Sequence, residues 1–410
     1  MNPKEIRIAD FTYELPDERI AKYPLQPRDS SKLLIYKDEA IAETVFKSIA
    51  EHLPENTFLI FNNTKVVEAR ILFEKNTGSI IEIFCLEPSE VYSDITTAML
   101  QQHKVQWKCL VGGAKKWKEK SLIKKVTYNE SELILRATII QKYNDYFLIE
   151  FEWDNTLSFA EVLHAAGVIP LPPYLNRKAE AVDASTYQTI YAKHDGSVAA
   201  PTAGLHFTQA IFKSLEQKNI SVNNITLHVG AGTFMPVKSE TLQGHEMHSE
   251  FIDVSINFIQ QLLKAIQQKQ KIVCVGTTSI RTVETLYWMG VKIENEKWKI
   301  ENGEIVIQQW DAYELNNSVT IETALQSLIN WMQQNNRQQL ITKTQIIITP
   351  AYQLKIVDGI ITNFHQPQST LLLLISAFVE DDWKKIYKYA LANNFRFLSY
   401  GDSSLLWKKS

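Results

Sequence analysis

The chain has 410 residues, of which 45% are hydrophobic and 22% charged, and its formal net charge is −3. This composition excludes wholesale disorder, and the length is enough for one large or two moderate domains. Because the net charge is slightly negative, any binding of nucleic acid must use a local basic patch and not the overall field of the protein.

The cysteines and the apolar segments limit where the protein works. Cys85, Cys109 and Cys274 are far apart in the chain, which disfavours a disulfide framework or a structural zinc site and fits a reducing compartment. The N-terminus has no apolar signal core. The longest apolar run, 371–379, is far shorter than the ~20 residues that span a bilayer. We therefore expect a cytoplasmic protein with no membrane partner.

The first half of the chain predicts two kinds of structure. Apolar strands are expected at 33–36 and 58–61, with a short stretch between them that could be helical. Short alternating runs then follow, separated by turn residues, at 80–86, 107–111, 122–128, 132–140 and 146–153. Such spacing predicts a small antiparallel barrel or sandwich. We expect it to be inserted, as residues 68–154, into a large α/β domain formed by 1–67 and 155–410.

The second half returns to an α/β pattern. An apolar face predicts a helix that stops at Gly167. Further on, a helix, a strand and a second helix are predicted in succession at 257–270, 271–275 and 276–288. Strands are expected at 346–349 and 355–362, and helices at 369–379 and 381–392. The polar, Gln-rich segment 294–344 is interpreted as a surface elaboration.

The first cluster of candidate site residues is the loop 196–208. Its small residues, with Ser197, Pro201 and Thr202 among them, would let a ligand approach the backbone closely. His206 could act as a general base, because the pKa of a free imidazole lies near neutrality. A tight loop with a capping histidine is an alternative that the pattern leaves open.

Two further clusters carry histidines. The run HVGAGTFMPV begins at His228, but it lacks the third glycine of a dinucleotide-binding fingerprint, and a close turn explains it equally. The run HEMHSE contains His245, His248 and Glu250. Zinc needs at least three protein ligands, and the third cannot be identified, so a hydrogen-bonding or acid/base role is favoured over a metal site.

A fourth cluster, 276–282, opens a predicted helix. Free N–H groups and the positive end of the helix dipole favour an anion there. Thr277, Thr278 and Ser279 would add hydroxyl donors, and Arg281 would add charge. A plain N-cap is the alternative interpretation.

The fifth cluster, 362–370, precedes a very apolar helix. It contains Asn363 and His365, and Ser369 is placed to cap the helix. The residues are compatible with a binding site, although a lone histidine at such a place is usually structural.

A basic segment suggests contact with RNA. Between 104 and 125 there are eight lysines and one glutamate, with Trp107 and Trp117 among them. Lysines suit the phosphate backbone, and aromatic rings suit base stacking. The candidate RNA-binding residues are Lys115, Lys116, Trp117, Lys118 and Lys120. A solvated face of the barrel is the alternative.

Taken in order, these motifs resemble the S-adenosylmethionine:tRNA ribosyltransferase-isomerase family of queuosine biosynthesis, nearly from end to end. The motifs that carry the resemblance are FTYELPDERIAKYPLQPRDSSKLL (11–34), LIFNNTKVVEARI (59–71), PLPPYLNR (170–177), YQTIYAKHDGSVAAPTAGLHFT (187–208), LHVGAGTFMPV (227–237), HEMHSE (245–250), VGTTSIRTVETL (275–286), ITNFHQPQSTLLLLISAF (361–378) and FLSYGDSSLL (397–406). The fourth and eighth of these are the most specific.

The resemblance implies a large α/β domain with a small inserted β-barrel. It also implies that the ribosyl group of S-adenosylmethionine is transferred to 7-aminomethyl-7-deazaguanine at the wobble position of tRNA. The group is isomerised to give epoxyqueuosine, and adenine and methionine are released. S-adenosylmethionine is a consumed substrate, and no metal or redox cofactor is implied. We expect a monomer.

This chemistry needs a proton acceptor and a means of holding the substrate. We expect His206 or His365 to transfer the proton, and the competing candidates are His228, His245 and His248. Arg281 and the turn 277–279 are expected to hold an anionic group such as the methionine carboxylate. Replacing His206 or His365 by Ala is expected to lower the rate sharply with folding intact.

The chain departs from the family pattern at several positions. Lys65 and Met235 stand where the family usually has Arg, Gln366 and Gln368 replace the Leu and Lys of a Leu-Pro-Lys segment, and Pro-Ala-Tyr replaces Pro-Gly-Tyr at 350–352. Lost positive charge puts phosphate or carboxylate contacts there in doubt. One alternative is therefore a relative that binds tRNA or nucleotide without turnover, and another is an enzyme with a different acceptor. A generic methyltransferase is disfavoured, because no glycine-rich loop of that type is found.

Overall fold

The structure is a computed structural model, and it describes residues 2–128, 131–230, 237, 239–295, 304–315 and 318–409. Within these residues the strands form a nine-stranded sheet, a seven-stranded sheet and a two-stranded sheet. No helix in the described ranges is long and apolar enough to cross a membrane.

The nine-stranded sheet is mixed and forms the centre of the protein. In spatial order its strands are Gln339–Thr344, Glu250–Ser255, Ser221–His228, Phe58–Asn62, Ile272–Val275, Gly359–Asn363, Ser403–Trp407, Lys32–Lys37 and Ala40–Val45. The middle of the sheet is parallel, from Ser221–His228 through to Gly359–Asn363. Phe58–Asn62 and Ile272–Val275 are buried at every position, as expected for parallel strands that are covered on both faces.

Among the described residues, the helices outside the small sheet are Asp183–Thr186, Gln209–Gln217, Ile256–Gln267, Thr277–Glu294, Asp311–Glu314, Ile321–Gln334, Thr370–Val379 and Asp382–Ala392. The helix Thr277–Glu294 is buried along most of its length and packs against Ile321–Gln334. This contact requires Gly290, because a Cβ atom there would lie 1.9 Å from the Ala324 carbonyl oxygen. The two helices therefore approach each other closely at this point.

The interpretation of 294–344 as a surface elaboration is wrong for its described part. The helix Ile321–Gln334 buries Leu325 and Leu328 in the main core, and Gln339–Thr344 forms an edge strand of the large sheet. Its glutamines face outward while apolar residues recur on the inner face, as in an amphipathic helix. The Gln-rich composition concealed that periodicity.

The seven-stranded sheet is antiparallel throughout and has its own apolar core. In spatial order its strands are Gly167–Val168, Arg70–Glu74, Ile80–Pro88, Lys104–Gly112, Phe147–Trp153, Ser131–Lys142 and Ser121–Tyr128. The amine of Lys124, on the last strand, donates to the Leu72 carbonyl at 3.0 Å, so the sheet curls into a half-barrel. The predicted fold class is thus confirmed: a large α/β sheet accompanied by a separate, small antiparallel one.

The helices Ile95–Met99 and Phe159–Ala166 accompany the small sheet. Phe159–Ala166 begins with a capping box between Ser158 and Glu161 and ends at Gly167, as the sequence predicted. Phe159 and Val162 pack in the core of the small sheet, although the helix follows the predicted boundary at 154. The boundaries of the two domains stay predictions.

Two predicted strands differ from the structure. The segment 346–349 is irregular, while the edge strand lies just before it at Gln339–Thr344, and the strand predicted at 355–362 begins only at Gly359. The helical stretch expected between the first two strands is confirmed in part, because a strand, Ala40–Val45, precedes a 3-10 helix, Phe46–His52. The short remaining strands Thr64–Val66 and His194–Ser197 pair in parallel.

Candidate functional site

Two adjoining cavities lie at the N-terminus of the helix Thr277–Glu294. Their empty volumes, part of which is open to solvent, are about 740 and 690 Å³. Thr277, Thr278 and Leu371 line both of them, so the cavities meet at the first turn of this helix. We call them the first and the second cavity.

The topology of the large sheet explains why the cavities form here. The parallel strands Ile272–Val275 and Gly359–Asn363 end side by side, so the loops that follow them converge at one edge of the sheet. Gly276 connects strand to helix with a φ of +84°, a conformation that L-residues rarely adopt, and it provides no side-chain cap. The free N–H groups of the first helical turn are therefore left to the cavities.

The first cavity combines aromatic and polar walls. It is lined by Tyr174, Tyr187, Ala199, Ala200, Pro201, Thr202, Ala203, Val229, Gly276, Thr277, Thr278, Thr362, Asn363, Phe364, His365, Gln366, Ser369, Leu371, Leu398 and Ser399. Ser369 also caps the helix Thr370–Val379, because its hydroxyl accepts from the Leu372 N–H. Several segments distant in sequence thus meet around one space.

His365 is the imidazole that lines the first cavity. Its Nε2 shares a hydrogen bond of 3.1 Å with the Thr362 hydroxyl, and its backbone N–H donates to the Tyr387 hydroxyl at 3.0 Å. Its carbonyl accepts from Tyr13. Burial lowers the pKa of His365 to about 4. The ring is therefore neutral near pH 7 and able to accept a proton.

His206 does not line either cavity but supports a residue that does. Its Nε2 lies 3.1 Å from Asn363 Oδ1, and its Nδ1 lies 2.8 Å from the Ser31 hydroxyl. The Asn363 amide donates to the Leu398 and Ser399 carbonyls, so its oxygen must accept from His206. Both ring nitrogens are thus occupied in a neutral imidazole, and burial lowers its pKa to about 4.

Three other predicted site residues also lie behind the cavity walls. His228 Nδ1 is 3.0 Å from the Thr64 hydroxyl, and burial lowers the pKa of this histidine to about 4. The Ser197 hydroxyl donates to the Ala199 carbonyl, and the Ser279 hydroxyl donates back to Val275. Neither cavity has any of the three in its lining within the part of the chain that the structure describes.

The second cavity combines a buried ion pair with apolar walls. It is lined by His245, Met247, His248, Glu250, Thr277, Thr278, Arg281, Ile346, Ile347, Ile348, Thr370, Leu371 and Leu374. Arg281 forms an ion pair with the buried Glu250 carboxylate, and its Nε donates to the Ile346 carbonyl. Burial lowers the pKa of His245, and His248 is exposed. No group of three or more metal-binding side chains occurs within the described residues.

Comparison with known proteins identifies the family. The family model described as "Queuosine biosynthesis protein" matches residues 8–406. An S-adenosylmethionine:tRNA ribosyltransferase-isomerase from Halothermothrix orenii is 35% identical over 407 residues, which are 98% of this chain and all of that protein. The chain belongs to the queuosine biosynthesis protein family.

A solved structure is also similar to the chain. It is the crystal structure of S-adenosylmethionine tRNA ribosyltransferase from Thermotoga maritima, which is 25% identical. The match covers 97% of this chain and 99% of the other, with a TM-score of 0.46.

Several positions that depart from the family pattern can be placed. Lys65 pairs with Asp195 at 3.0 Å, and Gln366 lines the first cavity. Gln368 is exposed with a φ of +55°. Met235 lies outside the described residues. Of the departures that lie within the described residues, only Gln366 is part of the lining of either cavity.

Sequence reasoning missed part of the lining. Tyr174 and Tyr187 contribute rings to the first cavity, and 346–348 contributes an apolar wall to the second. Tyr174 lies in the motif PLPPYLNR and Tyr187 begins YQTIYAKH, but aromatic residues are more often part of a core. Their membership of quoted motifs was the one available signal.

The basic segment of the small sheet is divided between surface and core. Lys115, Lys116, Lys118 and Lys120 are exposed next to the 3-10 helix Ala114–Lys116, so phosphate contact by them stays a prediction. The base-stacking role expected of Trp107 and Trp117 does not fit this conformation. Both indole rings are buried in the core of the small sheet, because each fills space between its curled strands.

Proposed function

We propose that this chain is an S-adenosylmethionine:tRNA ribosyltransferase-isomerase. It transfers the ribosyl group to 7-aminomethyl-7-deazaguanine in tRNA and isomerises it to give epoxyqueuosine, and adenine and methionine leave. The observation that best supports this function is the pair of adjoining cavities at one open helix N-terminus. A sulfonium nucleoside and an RNA base bound in these adjoining cavities would lie side by side, as a reaction between the two requires.

The reaction begins with an acidic carbon. The sulfonium acidifies the carbon next to it and makes methionine a good leaving group, so a base must remove a proton in a site shielded from water. His365 is our candidate for this base, because it is the imidazole that lines the first cavity. Burial lowers its pKa to about 4, which keeps the ring neutral near pH 7 but makes it a weaker base than a free imidazole. A weak base in its neutral form is available over the whole physiological pH range.

Other groups of the first cavity would hold the reactants. The half-buried ring of Tyr174 suits stacking against adenine or the deazaguanine base, whereas the rings of Tyr187 and Phe364 are almost fully covered by other protein atoms. Both amide hydrogens of Asn363 are bonded to backbone carbonyls and its oxygen accepts from His206, so this side chain would offer the second lone pair of an oriented amide oxygen. His206 is therefore proposed as a positioning residue and not as the base.

The proposal includes the partners and the cellular setting. The substrates are S-adenosylmethionine, which is consumed, and tRNA carrying the modified base at the wobble position. The enzyme acts as a cytoplasmic monomer without a metal or redox cofactor. Activity that survives chelation by EDTA, and a mass in solution equal to that of one chain, are the expected results; loss of activity in EDTA would overturn the cofactor proposal.

Release of adenine tests the function directly. The protein is mixed with S-adenosylmethionine and tRNA that carries the aminomethyl-deazaguanine base, and adenine is measured by chromatography. A matched reaction contains tRNA with an unmodified guanine at the same position. Adenine released only with the modified tRNA supports the proposal. Binding of that tRNA without release would instead indicate a relative that lacks turnover.

A further inference from the structure

The second cavity contains a buried guanidinium that is not fully satisfied. Arg281 is 7% exposed, and its Nη1 and Nε are bonded to Glu250 and to the Ile346 carbonyl. Its Nη2 is buried and has no hydrogen-bond partner among the described residues. Leaving such a group unpaired is costly, so its presence in a cavity wall indicates that a ligand supplies the missing acceptor.

The helix N-terminus points to the same kind of acceptor. Thr277, Thr278 and Arg281 share one face of the helix Thr277–Glu294, since they are spaced by three and four residues. The uncapped N–H groups of the first turn and the guanidinium thus border the same cavity. A small oxyanion such as a carboxylate can accept from both.

The negative charge of Glu250 restricts which other charged groups the ligand can have. It is 4% exposed and lines the cavity beside Arg281, so a ligand with only negative charge would be repelled by its carboxylate. The ion pair is neutral as a whole. A ligand with a carboxylate and an adjacent ammonium group, which is also neutral as a whole, complements both charges.

The remaining walls fit the methylene groups of a methionine side chain. Met247, Ile346, Ile348, Leu371 and Leu374 supply apolar surface to the second cavity. Methylene groups pack against such side chains without losing hydrogen bonds, whereas the positively charged sulfonium would lie towards the polar junction with the first cavity.

We propose that the second cavity binds the amino-acid end of S-adenosylmethionine as a zwitterion. The carboxylate accepts from Arg281 Nη2 and from the first turn of the helix, and the ammonium group lies against Glu250. The nucleoside then extends past Thr277 and Thr278 into the first cavity, which it shares with the RNA base. This inference rests on the proposed function and adds the charge pattern that selects the substrate.

Ligand series on the unmodified protein test the inference first. Methionine, the released product, should inhibit adenine release competitively with S-adenosylmethionine. Two analogues should each inhibit at least about tenfold more weakly than methionine. Methioninol lacks the carboxylate and desaminomethionine lacks the ammonium group, so each leaves one buried charge of the site without a partner. Equal inhibition by all three compounds would overturn the zwitterion site.

Two variants test whether Arg281 and Glu250 form this binding site. Arg281→Lys keeps the positive charge beside Glu250 but removes the planar second N–H edge, and Glu250→Gln removes the negative charge. Each should raise KM for S-adenosylmethionine about tenfold or more and reduce inhibition by methionine. The matched control is Lys292→Met on the same helix, which removes a buried pair with Asp311 (2.6 Å) away from the cavities. Its KM should stay unchanged.

The outcomes separate this inference from the proposed function. If adenine is released normally but Arg281→Lys leaves KM and methionine inhibition unchanged, the subsite is wrong and the function stands. If the unmodified protein releases no adenine, the function is wrong, and calorimetric binding of methionine against methioninol still decides the subsite. Should a variant fail to fold in thermal melts, the ligand series on the unmodified protein decides whether the subsite exists.

Discussion

The two large sheets of this protein bury very different side chains. Among the described residues of 68–154, which form most of the small sheet, Ser89 is the one fully buried polar residue. Around the nine-stranded sheet, buried polar and charged residues are numerous, and they include His206, His228, Arg281 and Glu284. The small sheet is therefore stabilised by apolar packing, whereas the large one also depends on a network of hydrogen bonds.

This difference indicates where chemistry is done. Burying a polar or charged group costs free energy unless partners satisfy it, so a dense buried network is retained either for structure or for function. Glu284 illustrates the structural case, because its carboxylate accepts from Tyr352 and from three backbone N–H groups of 355–357. Arg281 illustrates the functional case, since it borders a cavity, and the half-buried His365 borders the other one.

The largest effect is expected from replacing His365, the residue of the large domain that we propose as the base. His365→Ala should lower kcat for adenine release about 100-fold to 10,000-fold, the usual range for loss of a general base. The control is His164→Ala, because His164 is exposed and pairs with Glu68 beside the small sheet. Single-turnover measurements of both variants, with thermal melts to confirm folding, give the comparison. A normal rate in His365→Ala would remove this residue from the mechanism.

The buried imidazoles should also make stability depend on pH. His206 and His228 have pKa values of about 4 in the folded protein because burial disfavours the charged ring, whereas an unfolded histidine titrates near 6.5. The contribution of these neutral rings to the free energy of unfolding is complete above about pH 6.5 and is lost as the pH falls towards 4. The loss should reach about 3 kcal/mol for each ring near pH 4.

Urea unfolding at a series of pH values between 7 and 4 measures this dependence. His228→Gln should flatten the slope in this range, and His164→Gln, which changes an exposed ring, should leave it unaltered. An unchanged slope in His228→Gln would show that the buried ring is not the source of the effect.

A smaller effect is expected from the residue that positions Asn363. His206→Ala should lower kcat about tenfold and also lower the free energy of unfolding, because Asn363 loses the donor that orients its amide. If His206 acts through Asn363, the double variant with Asn363→Ala should be no slower than Asn363→Ala alone. Additive losses in that cycle would mean that the histidine acts independently.

The smallest effect should come from the small sheet. Replacing Lys115, Lys116, Lys118 and Lys120 together by Gln should raise KM for tRNA severalfold and make it less sensitive to salt, with kcat unchanged at saturating tRNA. A matched control replaces the exposed lysines of the last helix, Lys384, Lys385 and Lys388. Equal shifts in both sets would show that the basic segment has no specific role.

Much of the fold could be predicted because its signals are local. The alternating strands at 80–86 and 122–128 and the helix that stops at Gly167 were recognised from periodicity and turn residues alone. The edge strand Gln339–Thr344 was missed because it follows a Gln-rich segment, and its place in the sheet depends on pairing with a strand some 90 residues earlier, Glu250–Ser255.

The candidate site was predicted as a set of loops but not as a geometry. His206 and His365 were equal candidates for the base, since both lie in polar clusters before apolar segments. The structure separates them, because Ser31 and Asn363 occupy both nitrogens of His206 while His365 borders the first cavity. Those partners are distant in sequence, and no local pattern connects them.

The sequence by itself determined the fold class, the family and the segments that carry the chemistry, because periodicity, turn residues and long motifs are properties of neighbouring residues. Only the tertiary structure decided which of those segments meet at a cavity and which residues support it from behind. It also paired Arg281 with Glu250 and placed Trp117 in a core. Burial and long-range hydrogen bonds arise when distant strands come together, so they have no signature in a short stretch of chain.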